Sequence, residues 1–143
     1  MKRIIGGIAT TSLVVATTIL TTTTAAHAAS TSGSCSVGNG WSASGGFNYT
    51  NSGTNHSVSS YFWNINGQSG STQNDVYGEI RRDQTGPDSS LWSFSTTNAR
   101  NGSGSVGVNR TWPTNYALFA QTRIVFDRNN ASDPSCTATS GRV

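Results

Sequence analysis

The stretch Tyr116-Ala117-Leu118-Phe119-Ala120-Gln121-Thr122-Arg123-Ile124-Val125-Phe126-Asp127 alternates more cleanly than any other part of the chain. Tyr116, Leu118, Ala120, Thr122, Ile124 and Phe126 fall on one face; Gln121, Arg123 and Asp127 fall on the other, together with Phe119 and Val125. Period two sends successive side chains to opposite faces of an extended strand. A mostly apolar face along so long a run predicts a core strand. No segment has the length and 3.6-residue period of a good helix.

Upstream, shorter runs repeat the alternation. Trp41, Ala43, Phe47 and Tyr49 share one face, opposite Ser42, Ser44 and Asn48, and Gly45-Gly46 marks a bulge or a close backbone approach. Val58 to Ile65 contains Tyr61-Phe62-Trp63, which puts aromatics on both faces and predicts a strand covered on both sides. Asn66-Gly67 then signals a hairpin, because both residues tolerate positive φ. Val76, Gly78 and Ile80 oppose Tyr77, Glu79 and Arg81; Trp92, Phe94 and Thr96 align; Val106, Val108, Arg110 and Trp112 align and stop at Pro113. Proline interrupts a central ladder. Turn residues stand at Asn51 to Asn55, Thr85 to Asp88 and Asn101 to Gly104. About six strands separated by such turns predict an all-β domain, an antiparallel β-sandwich or a small barrel.

The first residues follow a different logic. Met1-Lys2-Arg3 is a short positive segment, Ile8 to Leu20 is apolar but diluted with threonine, and Ala26-His27-Ala28 supplies small residues for processing. Residues 1–28 read as an export signal. The apolar run is too short and too polar to span a bilayer, so no membrane insertion is expected. Residues 29–143 are then a single secreted, extracellular domain. In that compartment Cys35 and Cys136 are expected to form one disulfide, with Cα atoms about 4.4–6.8 Å apart. Closing a loop of about one hundred residues stabilises by ~4–5 kcal/mol in the chain-entropy account. Cysteines committed to that bridge are unavailable for catalysis or metal.

The formal charge of +3 includes Lys2 and Arg3; without them seven arginines face six carboxylates. A net charge near neutrality does not support nucleic-acid binding. Leu, Ile and Val are sparse, which alone would suggest disorder, but four Trp, four Tyr and five Phe sit inside the alternating segments. Disordered chains lack such aromatics. They point to a small aromatic-rich core, with Trp41 and Trp92 the tryptophans expected to be buried.

Little in the sequence points to chemistry. His56 is the only histidine after the signal; it follows a turn, where a solvated side chain is expected, and no nucleophile motif accompanies it. Asp75, Glu79 and Asp83 are spaced for shared faces, as a glycosidase pair would be, yet Arg81 and Arg82 nearby favour ionised carboxylates and surface ion pairs. No set of metal ligands and no cofactor motif is present. A non-enzymatic binding or adaptor domain is the expectation. Its candidate contact residues are Tyr61, Trp63, Arg81, Trp92, Arg110, Trp112, Tyr116 and Arg123, since Tyr, Trp and Arg dominate protein–protein hot spots. The partner would be another secreted or cell-surface protein. Two alternatives stand beside it: a polysaccharide-binding module using exposed rings of Trp63, Trp92, Trp112 and Tyr116, and a small toxin or hydrolase acting at His56 or Glu79.

Thr122-Arg123-Ile124-Val125-Phe126-Asp127 followed by Asp133-Pro134-Ser135-Cys136-Thr137, on a lysine-free mature chain behind a threonine-rich signal, resembles small secreted proteins of Gram-positive actinobacteria. Some proteins of that kind are non-catalytic components of secreted antibacterial assemblies. The resemblance implies a component role of that sort and carries over no active-site residue.

Overall fold

The computed structural model describes residues 27–68, 73–128 and 131–143. Nearly all of the expected export signal therefore lies outside the described residues, as does part of the connection after Gln68. Eight strands follow one another: β1 (His27–Ser36), β2 (Ser42–Ser52), β3 (Asn55–Asn66), β4 (Asn74–Asp83), β5 (Ser89–Ala99), β6 (Gly102–Pro113), β7 (Ala117–Val125) and β8 (Ser135–Thr139). They form two four-stranded antiparallel sheets. Sheet A has the order β1-β2-β3-β6, and sheet B the order β5-β4-β7-β8. The sheets face each other without closing into a barrel, so the domain is a β-sandwich. Among the described residues no helix is long and apolar enough to cross a membrane.

β7 occupies the place its alternation predicts, between β4 and β8. Leu118, Ala120, Thr122, Ile124 and Phe126 are all buried between the sheets. Two apolar clusters fill that space. One gathers Phe47, Val58, Tyr61, Ile80, Val108, Leu118 and Ala120; the other gathers Ala43, Ile65, Val76, Ala99, Ile124 and Phe126. Phe94 packs against both.

The sheets approach most closely along β1, β2, β7 and β8. There Gly45 has no room for a Cβ because Thr122 lies against it, and Gly33 lies against the backbone of Thr139. Gly45 thus marks a close approach between sheets, and the β2–β3 register shift falls at Asn48/Tyr49 instead. On the same side Cys35 is bonded to Cys136, with Cα atoms 5.8 Å apart. Thr31 Oγ1 donates to the Gly141 carbonyl at 2.9 Å, and Val143 and Leu118 exchange backbone hydrogen bonds of 2.9 and 3.0 Å. A formed disulfide fits an oxidising compartment. Along β5 and β6 the space between the sheets is filled by side chains, chiefly the rings described below.

Several expectations change. The first strand is β1, ahead of the segment beginning at Trp41, and β8 is a further strand. Asn66-Gly67 does not make a hairpin: Gly67 has the expected positive φ of 92°, but β3 lies in sheet A and β4 in sheet B. β3 is covered on one side only, leaving Phe62 on the outer face of sheet A, half-buried among Ser44, Asn64, Ser103 and Ser105. Trp41 and Trp92 are half-buried. Pro113 terminates β6, an edge strand, where its missing donor breaks no central ladder.

Candidate functional site

The aromatic residues singled out in the sequence pack together, with Tyr61 in the interior and Trp63, Trp92, Trp112 and Tyr116 half-buried against the core. Tyr61 is fully buried. Its hydroxyl donates to the Gln121 carbonyl at 3.1 Å and shares a 2.5 Å hydrogen bond with Thr122 Oγ1, and burial pushes its pKa up to about 12. Around it the rings of Trp63, Phe94 and Trp92 form a continuous stack, with Trp63–Phe94 centroids 5.2 Å apart and Trp92–Phe94 centroids 5.5 Å apart. Tyr61 meets both Phe94 and Trp92, at 5.3 and 5.6 Å. The stack is seated on glycines: a Cβ at Gly104 would enter the Trp63 indole, and one at Gly78 would enter the rings of Phe94 and Tyr61. Trp112 and Tyr116 are half-buried against the same core, and the Arg82 guanidinium lies 3.8 Å above the Tyr116 ring. These rings hold the β5–β6 side of the sandwich together.

The arginines go elsewhere. Arg81 and Arg123 project from the outer face of sheet B, whereas Arg110 is exposed on β6 beside Asn109, whose φ is +49°. Arg81 is clamped by three acceptors: Glu79 Oε2 at 3.1 Å, Gln121 Oε1 at 3.0 Å and the Asp88 carbonyl at 2.9 Å. Arg123 is exposed, its guanidinium 5.5 Å from the centroid of the Tyr77 ring. Register explains the grouping. β4 pairs Tyr77 with Arg123 and Glu79 with Gln121 on β7, and β8 brings Thr137 beside Arg123. Tyr77, Glu79, Gln121, Arg123 and Thr137 thereby line a depression of about 350 Å³. Tyr77 is the exposed large hydrophobic side chain among the described residues, at 38%. Its hydroxyl donates to Asp75 Oδ2 at 3.3 Å, which fixes one edge of the ring. The alternation of β4 had placed Tyr77 on the face of Glu79 and Arg81, and that parity is the signal that finds this patch.

The carboxylates of β4 are engaged locally. Glu79 pairs with Arg81, Asp83 with Arg142, and Asp75 accepts from Tyr77. His56 is buried, contrary to the solvated side chain expected of a post-turn residue. It turns inward because β3 begins at Asn55, one residue earlier, and the ring packs edge-on to Tyr49 with centroids 6.1 Å apart. His56 Nδ1 lies 2.6 Å from Asn51 Oδ1, whereas the buried Nε2 has no hydrogen-bond partner. Among the described residues, no three His, Cys, Asp or Glu side chains come together as metal ligands would.

The site is thus a Tyr–Arg patch on the outer face of sheet B, its side chains fixed by one another across β4 and β7. Comparison of the chain with family models, with curated proteins and with solved structures finds no match.

Proposed function

We propose that this protein is a non-enzymatic, exported binding domain that docks another secreted or cell-surface protein through the outer face of sheet B. The observation that carries the reading is the pairing of the exposed Tyr77 ring with the Arg123 guanidinium, at the mouth of a depression ringed by Glu79, Gln121 and Thr137. Tyr and Arg are the residue types that supply most interface energy when a partner excludes water from them. Arg81 is held by three hydrogen bonds before any partner arrives, so little side-chain entropy remains to be lost on binding there. Both signs of charge lie within the patch, which suits a complementary polar rim on a partner protein.

The test is capture from the culture fluid of the producing cells by tagged protein, with crosslinking and mass spectrometry, in parallel with Tyr77→Ala and Arg123→Ala. A specific partner recovered by the native protein and lost by both variants is the expected result. Recovery of a strictly monomeric protein with no crosslinked partner, or a partner that both variants retain, overturns the proposal.

A further inference from the structure

The outer face of sheet A presents a second surface with different chemistry. In register across all four strands, Ser34, Ser44, Asn64 and Ser103 stand side by side. In the neighbouring row Phe62 stands between Gly46 and Ser105. No charged side chain occupies these rows, and Arg110 only rims one end of the face, beside the Asn109 bulge. All six carboxylates of the chain belong to sheet B or its connections. The segregation is by sheet, since both outer faces are otherwise equally free to carry charge.

Three shallow depressions succeed one another along this face. One of about 320 Å³ lies around Phe62, Asn64 and Ser105, one of about 360 Å³ around Asn48 and Thr50, and one of about 230 Å³ between Thr50 and Thr111. Hydroxyl and primary amide groups both donate and accept hydrogen bonds. A few are spent on each other, as where Asn48 Nδ2 donates to Ser60 Oγ at 3.0 Å, and Ser103 Oγ reaches Asn64 Oδ1 only at 3.4 Å. The complementary partner must itself offer paired donors and acceptors in an extended array, without net charge, and an apolar face for the Phe62 ring. A polyanion would find a single cation, Arg110 at one end of the face, and Phe62 is the ring on the outer face beside the Ser and Asn rows, too little aromatic and cationic surface for a protein hot spot.

We infer that the outer face of sheet A binds an uncharged, extended polysaccharide, whose hydroxyls meet the Ser, Thr and Asn rows and whose C–H face rests on Phe62. This site stands independently of the Tyr77 patch. With both occupied, the domain would tether a protein partner to a glycan.

The experiment mixes the purified, disulfide-bonded protein with suspensions of cellulose, chitin and β-1,3-glucan and measures its depletion from solution. The measurement is repeated in about 1 M salt, where charge–charge attraction is screened within roughly 3 Å. Depletion by at least one polymer, undiminished by salt, is expected. Phe62→Ala should weaken it about tenfold, the loss of one good contact. Ser103→Glu with Ser105→Glu, both at exposed positions, should abolish it, and Tyr77→Ala should leave it unchanged. Circular dichroism confirms that each variant is folded; if Phe62→Ala is not, the glutamate pair decides. No depletion by any of the three polymers overturns the inference, as does depletion that salt removes or that the glutamate pair leaves intact. A dimer converted to monomer by the glutamate pair, with no polymer bound, would assign the face to self-association instead.

Discussion

Trp63 of sheet A stacks on Phe94 of sheet B, with ring centroids 5.2 Å apart and planes 28° from parallel. This pair ties the two sheets on the side away from the disulfide. Trp63→Ala removes the ring and leaves a cavity that the flanking strands cannot fill without moving. A loss of about 3 kcal/mol is expected, the low end for a large aromatic because Trp63 is only half-buried. Urea unfolding followed by the remaining tryptophan fluorescence measures it.

Gly78 is the floor on which Phe94 and Tyr61 rest. Gly78→Ala drives a methyl group into two rings that are already packed on other neighbours. Overpacking of this kind costs about 1–3 kcal/mol, and it should lower the thermal midpoint measurably. Gly86, on the exposed β4–β5 turn with open space where a Cβ would project, provides the contrast: any penalty there comes from its φ of +97° alone.

Cys136→Ala together with Cys35→Ala opens a loop spanning 101 residues. The expected loss is ~4 kcal/mol, reduced by whatever structure the open denatured chain retains. Comparing denaturant midpoints of the native protein with and without reductant should give the same shift as the double variant.

Tyr61 links stability to alkaline pH. Its pKa is pushed from 10.0 to about 12 by burial, so the folded state holds a proton that the unfolded state releases above pH 10. Stability is therefore complete below pH 10 and declines as pH rises from 10 through about 12, by about 2–3 kcal/mol in all. Tyr61→Phe should remove this slope while lowering stability at neutral pH, because the Thr122 and Gln121 hydrogen bonds are lost. Denaturation midpoints at pH 8 and about pH 11 separate the two effects.

His56 contributes shape more than polarity. Its Nε2 is buried without a partner, and its Nδ1 bond goes to Asn51, whose own side chain is exposed and can turn to water. His56→Phe preserves the edge contact with Tyr49 and removes the unsatisfied nitrogen. The stability change is expected to stay within about 1 kcal/mol of zero. A loss of several kcal/mol would show that Nε2 is hydrogen-bonded in solution.

The parts of the fold that could be read from the sequence are those where one face is covered and the other is wet. β7 is the best case, because sheet A covers Leu118, Ala120 and Ile124 while Gln121 and Arg123 stay outside. β1 and β8 gave no such signal. Their inward positions are Thr31, Gly33, Cys35, Cys136 and Ala138, small residues of which Gly33 is pressed against neighbouring backbone and the cysteines are joined covalently, so hydrophobic alternation has little to act on. Asn66-Gly67 was legible as a site of positive φ and illegible as a change of sheet, since turn chemistry is local and the choice of partner strand is not.

The same division applies to the site. Choosing rings for a binding surface selected Tyr61, Trp63, Trp92, Trp112 and Tyr116; Tyr61 is fully buried, and the other four are half-buried, packed by one side against a core poor in leucine and isoleucine. Arg81 and Arg123 do reach the surface patch, and the ring that accompanies them is Tyr77. Parity along β4 had separated Tyr77 from the core residues Val76, Gly78 and Ile80, so its position was legible even though its role was not.

The pairing of β1 with β2, and of Cys35 with Cys136 on the far sheet, makes the domain's first and last strands depend on each other. Until β8 and residues through Val143 have emerged, β7 lacks its outer neighbour and Cys35 lacks its partner. Such long-range contacts are slow to form. Closure of the sandwich is therefore a late event that waits on the last strand, however early the β2–β3 and β4–β5 hairpins form.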